Sequence, residues 1–424
     1  MVQNEKKILI ISYYFPPMAL GGTQRIAKFV KYLPEFGWSP TVVTVKPTAY
    51  WAFDDSLVED VRSAKILRTE SLDPQRILAK MGKRALSPPK AGGTKSILST
   101  VNQVVLPFIV QPDVKIFWLP FAIRAIRSLL QDNVYQVLLT SSPPHSTHLI
   151  GRSLAGQYGI KWIADFRDGW AGSHVVREPT IGHHLLNKHW QNSVVKCADA
   201  VVTVSPGIEK SFESAKSDKF YLIPNGFDPD DYLSEISRSS KYTLCYSGTI
   251  NTFAHPETFL RALAIIKRNH PKIYSKLEVV FLGYDTLGTL QHLINVYGLE
   301  DAVKTFGHQD HPTAVRNLQR ADALLLIALG RDVDTFIPGK TFEYLGAQKP
   351  IFAISNSRYT NDLLSHYSRA FIVPPKNPAE IAEKFAEFFH TKWDSINIDA
   401  AWINTYNRRQ QTKTLASILD EIYD

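Results

Sequence analysis

The residues best placed to do chemistry lie in the stretch Ile337-Pro-Gly-Lys-Thr-Phe-Glu-Tyr-Leu-Gly-Ala-Gln-Lys-Pro-Ile351. An apolar run, Ala323–Ala328, precedes it and reads as a buried parallel strand. A polar loop, Gly330–Thr335, follows, and Pro338 and Gly339 open a helix whose first turn carries Lys340, Thr341 and Glu343. A helix N-terminus presents free N–H groups and favours anions by roughly 0.3–1 kcal/mol, up to about 2 when partly buried. Lys340 adds a full positive charge, and Glu343 offers an acceptor one turn deeper. A phosphate beside a hydroxyl-bearing sugar suits both. The plain alternative is a solvated i, i+3 ion pair.

A second group of reactive side chains lies in the first half of the chain. Thr140-Ser-Ser-Pro-Pro-His-Ser-Thr-His148 and Asp165-Phe-Arg-Asp-Gly-Trp170 each follow an apolar strand. Both therefore fall at carboxyl ends of parallel strands, where open α/β sheets bind their ligands. His145, Asp165, Arg167 and Asp168 are the acid–base and electrostatic candidates. Earlier still, Gly21 and Gly22 stand where the first strand turns into a helix carrying Arg25. Two small residues and a guanidinium there allow close approach of a phosphate or sugar, or simply make a tight turn.

Several motifs are imitations. Gly339-Lys340-Thr341 copies the end of a P-loop, but the required earlier glycine is Asp334. Asp332-Val-Asp334 is a D-x-D, which some sugar transferases use to hold a metal diphosphate. Two separate α/β sheets do not suit that architecture. No G-x-G-x-x-G occurs, which argues against nicotinamide or flavin. His145 and His148, and the group His183, His184 and His189, lack a convincing third ligand, so no metal site is expected.

The elements that must position these residues form two sets. A chain of 424 residues exceeds one core, so two domains of about 200 residues are expected. Lys7–Ile11, a helix Thr23–Leu33 and a strand Thr41–Val45 make a βαβ unit, hence a parallel sheet. Strands near 134–139, 161–164, 198–204 and 221–223 extend it. A polar linker, Asp228–Ser240, separates a second series at 242–246, 277–282, 303–307, 321–327 and 350–354. Hydrophobic content of 44% and charged content of 21% describe an ordinary globular chain. Two cysteines form no disulfide framework and fit a reducing cytoplasm. No run approaches the ~18 apolar residues of a membrane span. A net charge of +8 points to an anionic partner, whether nucleic acid, anionic lipid or phosphorylated substrate. The basic segment from Arg76 and the aromatic, apolar residues to Ile126 either touch an anionic membrane peripherally or pack as helices on the sheet.

Taken together, five segments resemble the family 4 ("group 1") retaining glycosyltransferases over nearly the whole length. They are Phe15-Pro-Pro with Gly21-Gly22 and Arg25, Ala198–Ser205, Ile223-Pro-Asn-Gly-Phe-Asp228, Tyr246-Ser-Gly-Thr249 and Pro338–Leu345. The resemblance implies the GT-B fold: two Rossmann-like doubly wound domains, 1–225 and 226–402, facing across a cleft. A C-terminal helix, 403–424, would cross back to the first. It implies no cofactor, a nucleotide-diphosphate sugar as co-substrate, a glycan or lipid-linked acceptor, and no nucleic acid. Glu343 resembles the second acid of an E-x7-E element and would hold the donor ribose. Lys340 with Gly339 and Thr341 would bind the diphosphate, beside Gly248 and Thr249. Gly307 and His308 would lie near the nucleobase, with Gly21, Gly22 and Arg25 on the acceptor side. The first acid of E-x7-E falls on Thr335, leaving Asp332 or Asp334 to substitute. The Arg and Lys usual after the second domain's first strand are missing from Thr249–His255, and Asp165–Asp168 replaces the usual catalytic-loop histidine. The implied reaction is metal-independent, cytoplasmic or peripheral to the inner membrane face, and belongs to surface polysaccharide assembly. A nucleotide-sugar epimerase and a silent nucleotide-sugar-binding protein are the alternatives.

Overall fold

The computed structural model describes residues 6–19, 21–50, 52–82, 106–173, 175–212, 218–232, 240–330 and 337–424. These form two compact units. One holds the described residues as far as Asn225 together with Arg408–Asp424, and the other holds Gly226–Asn407.

The first unit is built on a seven-stranded sheet in the order β3-β2-β1-β4-β5-β6-β7. Its strands are β1 (Lys6–Ile11), β2 (Trp38–Val45), β3 (Lys65–Thr69), β4 (Val137–Ser142), β5 (Lys161–Phe166), β6 (Ala200–Thr203) and β7 (Phe220–Leu222). Every pairing is parallel. Central strands of a covered parallel sheet are apolar on both faces, and β4 is buried at every residue. The helix Gly21–Tyr32 packs Ile26 and Val30 into the same cluster as Leu415, Ile418 and Leu419 of the last helix. That last helix spans Arg408–Tyr423 rather than starting at 403. The chain before it stays with the second unit because Ile403 is buried in that unit's core and Trp402 and Tyr406 pack against it.

The second unit has a six-stranded, all-parallel sheet in the order β10-β9-β8-β11-β12-β13. Its strands are β8 (Tyr242–Ser247), β9 (Leu277–Leu282), β10 (Val303–Thr305), β11 (Ala323–Ala328), β12 (Ile351–Ser355) and β13 (Ala370–Val373). β11 is fully buried, and alternate residues of it join two separate core clusters, so helices cover both faces of this sheet.

The aromatic segment before residue 126 divides. Trp118 is fully buried and donates from Nε1 to Thr69 Oγ1 at 2.7 Å, and the helix Leu119–Asp132 buries Ala122, Ile126 and Leu129. Phe108 and Ile109 remain 54% and 75% exposed. Residues 83–105 of the expected basic surface lie outside the described residues. No described helix is long and apolar enough to cross a membrane.

Candidate functional site

Each sheet reverses its strand order once, between β1 and β4 in the first and between β8 and β11 in the second. Carboxyl ends of strands at such reversals splay their loops apart and form the ligand crevice of an open parallel sheet. The candidate residues gather at these two places.

At the second reversal, β8 ends in Gly248 and β11 leads on to the helix Gly339–Ala347. Pro338 caps that helix with extended backbone and no side-chain cap; Thr341 N–H donates to Pro338 O at 2.9 Å, and the amides of Gly339 and Lys340 precede the first intrahelical acceptor. Lys340 reaches across to β8. Its Nζ donates to Tyr246 Oη and lies 3.9 Å from the Tyr246 ring centroid. The ammonium also presses on Gly248, where an added Cβ would come within 2.9 Å of Lys340 Nζ and Cε. Gly248 has φ +134°, and a Cβ on Gly283 would meet the Gly248 carbonyl oxygen at 2.2 Å. Only glycine fits at either position. Gly283 N–H in turn donates to Gly307 O at 2.6 Å, which sets the β8, β9 and β10 loops side by side.

Burial on an aromatic face pulls Lys340 down to about 7, with Glu343 opposing. Among the described residues no carboxylate oxygen lies within salt-bridge distance of Lys340, so its charge is available to a ligand. Glu343 is partly buried, and its Oε1 is 3.9 Å from His311 Nδ1. His311 Nε2 meets Asp231 Oδ2 at 2.9 Å. His308 is exposed and stacks on Tyr284, centroids 4.6 Å apart and planes 11° apart. Thr341 is fully buried, and its hydroxyl has no hydrogen-bond partner among the described residues. Asp332, Asp334 and Thr335 lie outside the described residues.

At the first reversal the charges are arranged differently. Arg25 is wholly buried. Its Nη2 meets Asp165 Oδ1 at 2.9 Å, and its Nη1 donates to Ile223 O at 2.8 Å and Pro224 O at 3.0 Å. Ser141 Oγ donates to Asp165 Oδ2 at 2.7 Å. The structure thus places Arg25, expected at an acceptor, and Asp165, expected in acid–base work, in one buried ion pair. The two groups neutralise each other inside the unit and brace the helix Gly21–Tyr32 against β5. His145 is buried too, its ring 5.1 Å from Trp170 and its Nε2 3.4 Å from Asp168 O. Desolvation pushes its imidazole down to about 4, which keeps it neutral and a poor base. Asp168 is partly buried. Arg167 also spans the reversal. Nε donates to Ser142 O at 2.8 Å and Nη2 to Pro143 O at 2.7 Å, while Nη1 faces Gly22.

Three positioning residues escaped the sequence reading. Tyr344, fully buried, accepts from Ser247 N–H at 2.8 Å and donates to Leu325 O at 3.2 Å, tying the Gly339 helix under both strands of the reversal. Tyr246 and His311 hold Lys340 and face Glu343. The Glu343-Tyr344 pair and the Tyr246-Ser-Gly248 run carried a signal for two of them; His311 had none. Among the described residues no group of three His, Cys, Asp or Glu is placed to hold a metal ion.

With two parallel-sheet units and this edge in view, the comparisons fix the class. The family described as "Glycosyl transferases group 1" matches residues 232–408, and "Glycosyltransferase Family 4" matches residues 21–231. The fold is that of the two-domain GT-B enzymes. Sucrose-phosphate synthase from Thermosynechococcus elongatus aligns with a TM-score of 0.59 at 15% identity, over 98% of this chain and 97% of its own. Anabaena Alr3699/HepE in complex with UDP and glucose aligns at 0.62 and 13%, over 98% and 100%. The lipopolysaccharide outer core galactosyltransferase WaaB in its apo form gives 0.58 and 11%, over 98% and 98%. No curated protein matches by sequence. The chain belongs to the group 1, family 4 glycosyltransferases.

Proposed function

We propose that this glycosyltransferase moves a sugar from a nucleotide-diphosphate donor to a hydroxyl of a glycan or lipid-linked glycan, with retained configuration and without a metal. The observation that carries the donor assignment is Lys340. It is a partly desolvated ammonium with no carboxylate partner among the described residues, held at a helix N-terminus on the switch point of the second sheet. Fixed positive charge in such a place stabilises a departing diphosphate without reorganisation. In this reading Gly339, Lys340, Gly248 and Thr249 surround the diphosphate and Glu343 accepts from the ribose. Gly307 and His308, with Tyr284, border the nucleobase. Gly21, Gly22 and Arg167 lie on the acceptor side, where the protein's task is orientation. Family membership supports this, as does the presence of UDP and glucose in the Anabaena structure.

A thermal-shift panel of nucleotide sugars tests it, because a ligand raises stability by its affinity. One nucleotide diphosphate and its sugar conjugate should raise the Tm, and the conjugate should release nucleotide diphosphate only when acceptor is added, with EDTA present. Conversion of the donor without acceptor would replace the transferase reading by an isomerase, and binding without any turnover would leave a silent binder.

A further inference from the structure

The second sheet carries a cavity that the donor chemistry does not use. Tyr242 opens β8, Asp322 and Pro350 immediately precede β11 and β12, and Arg369 immediately precedes β13. These four strands are parallel neighbours, so the cavity lies at their amino edge, opposite the carboxyl edge where β8 runs into Gly248. The helix Gly339–Ala347 ends there in Gln348, whose φ of +55° is left-handed, and Thr391–Ser395, just beyond the helix Pro378–His390, completes the lining. The volume is about 540 Å³, within the ~300–1,000 Å³ of small-molecule sites. Three cations, Lys349, Arg369 and Lys392, share the lining with two acids, Asp322 and Asp394. Arg369 is half-buried and fixed in direction. Its Nε donates to Ile396 O at 2.9 Å and its Nη1 to Gln348 O at 3.4 Å, while Nη2 has no hydrogen-bond partner among the described residues. Neither Arg369 nor Lys392 forms an ion pair with a described carboxylate. Asp322 Oδ2 accepts from Thr243 N–H at 2.8 Å, which leaves Oδ1 as an acceptor, and Asp394 is exposed. The aromatic part of the lining is also held in place. Trp393 lies 4.9 Å from Phe388 and Tyr242 lies 4.7 Å from Phe389 between ring centroids, and Trp393 Nε1 donates to Phe388 O at 2.9 Å. Rings and a guanidinium already fixed lose little freedom when a ligand arrives.

We propose that this cavity binds a sugar monophosphate, at a site separate from the nucleotide sugar. Arg369 Nη2 and Lys392 meet the phosphate, for which a planar guanidinium and an ammonium are the usual donors. The sugar ring lies against Trp393 and Tyr242, and its hydroxyls donate to Asp322 Oδ1 and Asp394. That division of labour accounts for acids among the cations: a bare anion gains nothing from a carboxylate, whereas a polyhydroxylated one is held by both. Because it stands at the other edge of the sheet, this site holds whether or not the transferase reading does.

The test labels the full chain with fluorotryptophan and follows it by fluorine NMR, the Trp393 line being assigned by its loss in Trp393→Phe. Glucose 6-phosphate and glucose 1-phosphate are the probes, at about 10 mM so that even millimolar binding registers, with glucose and inorganic phosphate as controls. A sugar phosphate should move the Trp393 line, inorganic phosphate should move it less, and glucose should leave it in place. Lys392→Gln, a change at an exposed side chain, should weaken the response at least about tenfold, as loss of a hydrogen bond to a charged group does. Arg369→Gln should weaken it further, with circular dichroism as the check on folding; if that variant unfolds, Lys392→Gln decides. Lys340→Ala, at the other edge, should leave the response unchanged. A Trp393 line that neither sugar phosphate moves overturns the inference, as does a response that survives Lys392→Gln undiminished or disappears in Lys340→Ala. An equal response to inorganic phosphate alone overturns the sugar assignment. Failure of every nucleotide to bind would sink the donor reading alone, leaving the Trp393 response to judge this site.

Discussion

The carboxyl edges of the two sheets share one topology and treat charge in opposite ways. On the first sheet Arg25 and Asp165 are buried against each other, and Lys115 meets Asp73 at 2.9 Å in the interior. On the second sheet Lys340 rests on an aromatic ring and Glu343 faces His311 at 3.9 Å. A buried, hydrogen-bonded pair braces structure and offers little to a ligand. A charge held on an aromatic face retains the capacity to bind an anion. The same residue types, an arginine or lysine with an acid, thus serve as scaffold in one unit and as candidate site in the other. Burial of the partner, rather than residue type, separates the roles.

That contrast can be broken by substitution. The largest effect is expected at Lys340. Lys340→Ala should lower the rate of transfer by about 10²–10³, as loss of a preorganised charge donor does, with Tm close to the parent. Arg25→Met should behave in the opposite sense. It leaves Asp165 buried and unpaired, which costs about 3–5 kcal/mol of stability in denaturant unfolding, and its activity loss should track the unfolded fraction. A stable Arg25→Met with abolished acceptor use would instead place Arg25 in ligand contact.

Smaller effects sharpen the picture. Glu343→Gln should weaken nucleotide binding by about 1.5–3 kcal/mol in calorimetry, the range for a hydrogen bond to a charged group. The pH dependence follows from Lys340, whose value in the folded protein is depressed from 10.5 to about 7. Between those values the unfolded chain holds the additional proton, so this group makes stability rise with pH across the window. Binding of an anion requires the charged form, so nucleotide affinity should fall as pH rises above about 7. Lys340→Met should flatten both profiles. The smallest expected change is none at all, in the rate with EDTA.

Much of the fold was legible because central parallel strands carry continuous apolar runs, Val137–Leu139 in β4 and the whole of β11. Two strands were missed, β3 with Lys65-Ile-Leu-Arg-Thr69 and β13 with Ala370-Phe-Ile-Val373. Both lie at sheet edges, where partial exposure dilutes the pattern. Of the site, the Gly339-Lys340-Glu343 cluster was readable from helix-start chemistry. The pairing of Arg25 with Asp165 was not, because 140 residues separate them and only the β1–β4–β5 order brings them together. The departure of the chain from the second unit at Asn407 was also hidden, since it depends on where Trp402 and Tyr406 find a core.

The most direct measurement is a calorimetric titration of the nucleotide diphosphate identified by thermal shift into three full-length proteins: the parent, Lys340→Ala and Arg167→Gln. The account predicts binding to the parent, at least about tenfold weaker binding to Lys340→Ala, and parent-like binding to Arg167→Gln. Undiminished affinity in Lys340→Ala, with loss in Arg167→Gln, would move the nucleotide to the first sheet and contradict the account.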